Sequence, residues 1–331
     1  MTTAVISSPD VTDGLAAGLD ARPTETALEM ARDLAAMFGP SAIAVLHYGS
    51  RARGDARDDS AYDFFVIVDN YRAAYESVTQ AVRLRVSRRT ATGLAHVLAP
   101  NIHALPPVPA GGRANKCGVL TVTELQASAR LESGDHFVVG RLFQQVQLLW
   151  TRDSAAEDVV RDALVELRRN TFEWVRSYLP PSFDVETYCR TLLETSFAGE
   201  IRPESGERAL DLLDAQRPFL LEVYGALLDQ LETRGVLSRT GKAYRQVHPP
   251  TARMRAKWDR YFRLSKARAT MRWGKALVQY DGWLDYIVQK ITRHNDVQVE
   301  LTERERRWPL IFLWPKVFSF FRERSRWEAR R

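Results

Sequence analysis

His47-Tyr48-Gly49-Ser50-Arg51-Ala52-Arg53-Gly54, followed by Ser60-Ala61-Tyr62-Asp63-Phe64-Phe65-Val66-Ile67-Val68, is the stretch on which the fold turns. Ile43 to Tyr48 is a short apolar run of the length of a buried strand. Gly49-Ser50 breaks it, the residues from Arg51 to Asp58 are polar, and Tyr62 to Val68 forms a second, almost wholly apolar strand. A Gly-Ser dipeptide by itself carries no weight. Gly-Ser directly after an apolar strand, Arg-Gly soon after it, and an acidic residue opening the next strand form a specific combination. The plain alternative is an ordinary strand-turn-helix-strand with a glycine in the turn.

Upstream, apolar residues recur at helical spacing from Glu25 to Phe38, and Gly39-Pro40 ends that helix. Downstream, Tyr71 to Val86 reads as helix, Gly93 to Leu105 as holding a strand, and Pro106 to Gly112 as a turn-rich loop. Lys116 to Val122 reads as strand, with a helix from Thr123. From Ala155 to Arg234 the pattern is mostly helical, interrupted at Pro180-Pro181 and around Pro203 to Gly206. Arg253 to His294 is predicted helical and strongly basic. We find no internal repeat. These patterns divide the chain into a flexible leader (1–24), an α/β domain (25–150), a helical domain (151–235) and a basic helical region (236–331).

Composition narrows the class. With 331 residues, 45% of them hydrophobic, the chain can bury a substantial core. A net charge of +6 suits a nucleotide, a nucleic acid or an anionic membrane and does not choose among them. Cys117 and Cys189 form no CxxC pair, which argues against a disulfide framework or a structural zinc site. The first residues read as a loose leader and not as a signal peptide, and no apolar run reaches the ~20 residues needed to span a bilayer.

The strand, Gly-Ser turn and second strand resemble those of polymerase-β-type nucleotidyltransferases. The chemistry of that group explains the arrangement. Glycine lets the backbone approach a triphosphate, while a serine hydroxyl and a helix N-terminus bind its oxygens. Carboxylates hold Mg²⁺ across them for in-line displacement. Here Tyr48, Gly49 and Ser50 form the expected phosphate cradle, and Asp63 is the expected metal ligand and catalytic acidic residue. The superfamily usually carries Asp-x-Asp, but position 61 is Ala61, so Asp63 stands without its usual neighbour. Asp69 has the same parity, yet six residues of strand put it about 20 Å away. Asp58 or Asp59 could reach back from the loop.

A closer resemblance covers about residues 43 to 230. Tyr48-Gly49-Ser50, Asp63-Phe64 with Val68-Asp69, Lys116-Cys117-Gly118-Val119-Leu120 and Gly140-Arg141-Leu142-Phe143-Gln144-Gln145 follow in order. Ser196-Phe197-Ala198-Gly199-Glu200-Ile201-Arg202 and the helix with Tyr224-Gly225 come next. In this the chain resembles the mitochondrial translocator assembly and maintenance family, peripheral phosphatidate cytidylyltransferases, of which it looks like a bacterial-type member. That family also lacks the first acidic residue of the pair. The lysine of its Gly-Arg-Leu-Gln-Lys-Pro element is absent here, so no role of that lysine transfers.

The resemblance implies an α/β nucleotidyltransferase (polymerase-β-like) domain, then a mainly helical domain and a basic amphipathic C-terminal region. It implies transfer of CMP from CTP to phosphatidic acid under Mg²⁺, giving CDP-diacylglycerol and pyrophosphate. Lys116 is expected to act with Asp63 in catalysis by meeting the triphosphate; its bland alternative is a solvated lysine before a strand. Arg141 and Arg202 are expected at the headgroup phosphate or pyrophosphate, since guanidinium matches phosphate oxygens bidentately; either alone could be an ordinary surface or salt-bridge arginine. The tail from Arg304 to Arg331 mixes aromatic residues with arginines and suits an anionic membrane surface, with docking on the chain's own core or a dimer contact as rivals. The expected location is cytoplasmic, peripheral on the inner face of the cell membrane. No nucleic-acid partner is expected, because no reading motif accompanies the basic helices. The competing functions are transfer to a soluble small molecule or protein, and a degenerate nucleotide-binding membrane protein in which Ala61 marks lost catalysis.

Overall fold

A computed structural model describes residues 14–57, 60–78, 86–105, 115–199, 206–279 and 302–307. In chain order the α/β part comprises α1 (Glu25–Phe38), β1 (Ala42–Tyr48), α2 (Ser50–Arg53), β2 (Tyr62–Val68), α3 (Tyr71–Ser77) and α4 (Arg88–Ala95). It continues with β3 (Asn101–Leu105), β4 (Asn115–Thr121), α5 (Val122–Ala129), α6 (Val139–Leu142) and β5 (Gln147–Thr151). Then come α7 (Ser154–Arg169), α8 (Thr171–Val175), α9 (Val185–Ala198), α10 (Gly206–Ala215) and α11 (Arg217–Thr233). A hairpin of β6 (Leu237–Thr240) and β7 (Ala243–Gln246), the long α12 (Ala252–Gln279) and a short α13 (Glu303–Arg307) complete the described elements.

The five-stranded sheet is mixed, in the order β3-β4-β2-β1-β5. β2 runs parallel to β4, while β1 is antiparallel to both β2 and β5. Both faces are covered, which is why β2 reads as a continuous apolar run and not as an alternation. Phe65 and Ile67 join Leu46 and Leu120 in one core cluster; Phe64, Val66 and Val68 join Val45 and Val119 in another. The second cluster is closed by α1, whose Ala27, Met30, Ala31, Leu34 and Phe38 face inward. Thr24 caps α1, its side chain accepting from the Ala27 N–H, and Gly39 at φ 57° turns the chain into β1. The first cluster extends into the helical part through Leu164, Trp174, Leu192, Tyr224 and Leu227, so the helices after Thr151 share one core with the sheet.

Local chemistry accounts for several differences from expectation. Gly93 lies inside α4, which Ser87 caps by accepting from the Thr90 N–H, so the strand in that stretch is confined to β3. β4 stops at Thr121 because Thr121 and Glu124 form a reciprocal capping box that starts α5. Residues 14–20, expected as part of a flexible leader, are packed. Leu15 and Leu19 are fully buried, Leu148 N–H donates to Leu19 O at 2.9 Å, and the buried Arg168 donates to Ala17 O at 2.9 Å. The basic region likewise holds more than solvated helix: it opens with the β6–β7 hairpin, tied to the body by the Phe183–Tyr244 bridge.

Candidate functional site

Strand register assembles the site. Tyr48 at the end of β1 is the partner of Asp63 at the start of β2, and Asp63 is the partner of Lys116 in β4. Residues directly paired across strands project from the same face of a sheet. The three side chains therefore form one row at one end of the sheet, and the Lys116 ammonium lies 3.6 Å from an Asp63 carboxylate oxygen. Their side chains are 22% and 27% exposed, so the pair is reachable from solvent.

Gly49 makes room for that carboxylate. Its backbone, at φ 84° and ψ −166°, occupies a region essentially reserved for glycine. A β-carbon built there would lie 2.8 Å from Asp63 Oδ2. Ser50 then opens α2, a helix of only four residues that Gly54 terminates at φ 86°. The turn thus offers a few backbone N–H groups and the Ser50 hydroxyl at the start of a single helical turn.

The polar loop after α2 is held by the residue next to Ser50. Arg51 donates from Nε to Ser60 O at 3.1 Å and from Nη2 to Arg57 O at 3.0 Å. Asp55 pairs with Arg53, while Asp58 and Asp59 lie outside the described residues. Asp69 is remote from Asp63, at the far end of β2, where it binds Arg152 at 2.6 Å. Among the described residues no group of three His, Cys, Asp or Glu side chains could hold a metal ion. Among the described residues of the site, Asp63 is the carboxylate that supplies a hard oxygen. Such a donor fits Mg²⁺ if nucleotide phosphates and water complete the shell, because that ion keeps several waters readily.

Arg141 reaches the same sheet face through stacked rings. Tyr48 stacks on Phe65 at 4.6 Å, and Phe65 meets Phe137 edge-on at 6.5 Å. The Arg141 guanidinium lies 3.6 Å from the centre of the Phe137 ring and donates to Phe137 O at 2.9 Å. Gly118, opposite Phe65 in β4, leaves space for that ring: a β-carbon there would lie 2.7 Å from it. Arg202 lies outside the described residues, as does the aromatic tail from Trp308 onward. No family model matches the chain, and no curated protein matches it at a significant level.

Two contributors were not foreseen from sequence. Arg272 of α12 also packs on Phe137, at 4.5 Å, and forms a buried ion pair with Asp135. It further donates to Ala99 O at 2.9 Å, fixing the chain just before Pro100. His47, behind Tyr48, is buried and meets Gln147 Oε1 at 2.8 Å. Burial holds its imidazole below the usual range, against the opposing hydrogen bond and the Asp63 charge. Composition carried no signal for either contact, since each depends on strands or helices distant in sequence.

Proposed function

We propose that the chain is a Mg²⁺-dependent nucleotidyltransferase that moves CMP from CTP to phosphatidic acid. The supporting observation is the meeting of Asp63, Lys116 and the Tyr48-Gly49-Ser50 turn at one end of the sheet, with the Asp63 carboxylate seated against Gly49. In this reading a phosphate oxygen of the acceptor attacks the α-phosphorus of CTP. The bond to pyrophosphate breaks, giving CDP-diacylglycerol, and no covalent enzyme residue is needed. Asp63 would hold the metal, which neutralises charge on the phosphates. Lys116 supplies a second positive charge to the triphosphate, and the Gly49 backbone allows close approach. Ser50 donates its hydroxyl to a phosphate oxygen. Arg141, already oriented by Phe137, binds the acceptor phosphate or the leaving pyrophosphate, a role that Arg202 shares by resemblance.

CTP and phosphatidate come from the family resemblance; the site supports the transfer chemistry. No described helix is long and apolar enough to cross a membrane, so a lipid acceptor calls for contact at the bilayer surface. The deciding experiment incubates the protein with phosphatidate and each nucleoside triphosphate in turn, following CDP-diacylglycerol and pyrophosphate. Product is expected with CTP and lost in Asp63→Ala. Equal product from both proteins would refute the assigned site.

A further inference from the structure

The described body of the protein carries a strongly one-signed surface on α12. Its inward seam is Trp258, Phe262, Ser265, Ala269, Arg272 and Ala276, all buried. The opposite flank exposes Arg253, Lys257, Arg260 and Arg263, with Lys266 exposed at its edge beside the seam. Asp259 is the only acidic residue in the helix, and it is engaged by Arg255 at 3.4 Å and by the Tyr178 hydroxyl at 2.8 Å. Those five exposed cations make no ion pair with a carboxylate among the described residues. The helix thus has a larger net positive charge than the +6 of the entire chain.

Apolar side chains are interleaved with these charges. Leu264 is 51% exposed and Met271 54%, and both follow Arg253, Lys257 and Arg260 along the same outer stripe. From Arg253 to Met271 the stripe spans roughly 27 Å at the α-helical rise. Cations that meet phosphate headgroups, with aliphatic side chains between them that enter the acyl boundary, suit a helix lying on a bilayer. A surface for unpaired nucleic acid would need aromatic platforms. The exposed large hydrophobic residues, among those described, are Val97, Val159, Leu210, Val247, Leu264 and Met271, none of them aromatic.

We infer that the outer flank of α12 is a docking face for an anionic phospholipid bilayer, a surface separate from the aromatic tail. The inference deepens the reading of a lipid acceptor and rests on it only for the choice of lipid over other polyanions. The binding itself requires neither nucleotide nor catalysis.

The test is co-sedimentation of the full chain, tail included, with phosphatidylcholine vesicles with and without phosphatidylglycerol. Binding is expected only with the anionic lipid. Lys257→Glu, Arg260→Glu and Arg263→Glu together should lower it roughly a hundredfold, each cation near the surface contributing about fivefold. Leu264→Asp with Met271→Asp should remove the fraction that survives high salt. All five positions are exposed, so unchanged melting is expected and checks the fold. Asp63→Ala should bind vesicles like the parent. The inference is overturned if the triple variant sediments like the parent, or if the parent ignores anionic lipid. It is equally overturned if the face prefers a single-stranded oligoribonucleotide to vesicles. CDP-diacylglycerol formation on detergent-dispersed phosphatidate, retained in the triple variant, would separate failure of the docking face from failure of the enzymatic reading.

Discussion

The Asp63 carboxylate occupies the space where a side chain on Gly49 would begin: Oδ2 lies 2.8 Å from the position of a β-carbon at that glycine. The turn and the acidic residue therefore share one space, and a side chain added at Gly49 must displace the carboxylate. Gly49→Ala is expected to cost about 1–3 kcal/mol from backbone strain and, in addition, to push Asp63 away from Lys116. Gly54 is the matched control. It also has positive φ, at 86°, but nothing lies within 4 Å of its β-carbon position. Gly54→Ala should destabilise without harming nucleotide binding, whereas Gly49→Ala should lose both. Equal nucleotide affinity in the two variants would show that the contact is incidental.

Lys116 and Asp63 form a partly exposed pair, so their mutual attraction contributes little to stability, roughly 0–1 kcal/mol. Lys116→Met should accordingly leave the melting temperature almost unchanged while weakening CTP binding at least tenfold. Isothermal titration with CTP and Mg²⁺, alongside thermal melting, checks both halves. A large drop in melting with unaltered CTP affinity would make Lys116 a structural residue.

Arg272 and Asp135 form the opposite kind of pair, with side chains only 3% and 10% exposed. Removing one partner strands the other in a dry environment. Arg272→Met is expected to cost about 3–5 kcal/mol, with part recovered in Arg272→Met/Asp135→Asn. A double-mutant cycle by denaturant unfolding measures the coupling. Simple additivity of the two substitutions would contradict the assignment.

Acid should loosen the fold through its buried imidazoles. Burial pushes both His103 and His136 down to about 3, from an ordinary value of 6.5. The unfolded chain therefore takes up protons below pH 6.5 that the folded chain refuses. Stability is unaffected by these groups above that value and falls as pH drops toward about 3. Melting followed from neutral to mildly acidic pH should show this decline, and His103→Leu should flatten it. A variant with the parent's slope would exclude His103 as a contributor.

Much of the site was legible because its signals are local. An apolar run bounded by Gly49-Ser50, and Asp63 at the head of the next run, need only chain stiffness and turn chemistry to be read. Ala61 was equally plain as a missing carboxylate, and the distance along β2 already removed Asp69 from consideration. Its pairing with Arg152 at the opposite end agrees with that geometry. The helix that follows Ser50 in the nucleotidyltransferase pattern is a single turn here, since Gly54 ends it. Residues 14–20, read as part of the flexible leader, were misjudged because Leu15 and Leu19 bury in a core shared by the sheet and the helices after it, with Leu19 O accepting from Leu148 N–H of β5.

The sequence by itself determined β1, β2 and β4, the Gly49-Ser50 turn, and which acidic residue begins β2, whereas β5 and the β6–β7 hairpin emerged only from the fold. Tertiary structure alone decided that Lys116 stands opposite Asp63, because strand register depends on pairing between segments separated by α3, α4 and β3. It also decided the fate of the basic residues on α12. Arg272 turns inward to Asp135 and Phe137, while Arg260 and Arg263 face solvent. All three are the same residue in the same helix. What separates them is the side of the helix that packs on the protein, and desolvation makes that side tolerable for a guanidinium only where a carboxylate and carbonyl oxygens receive it.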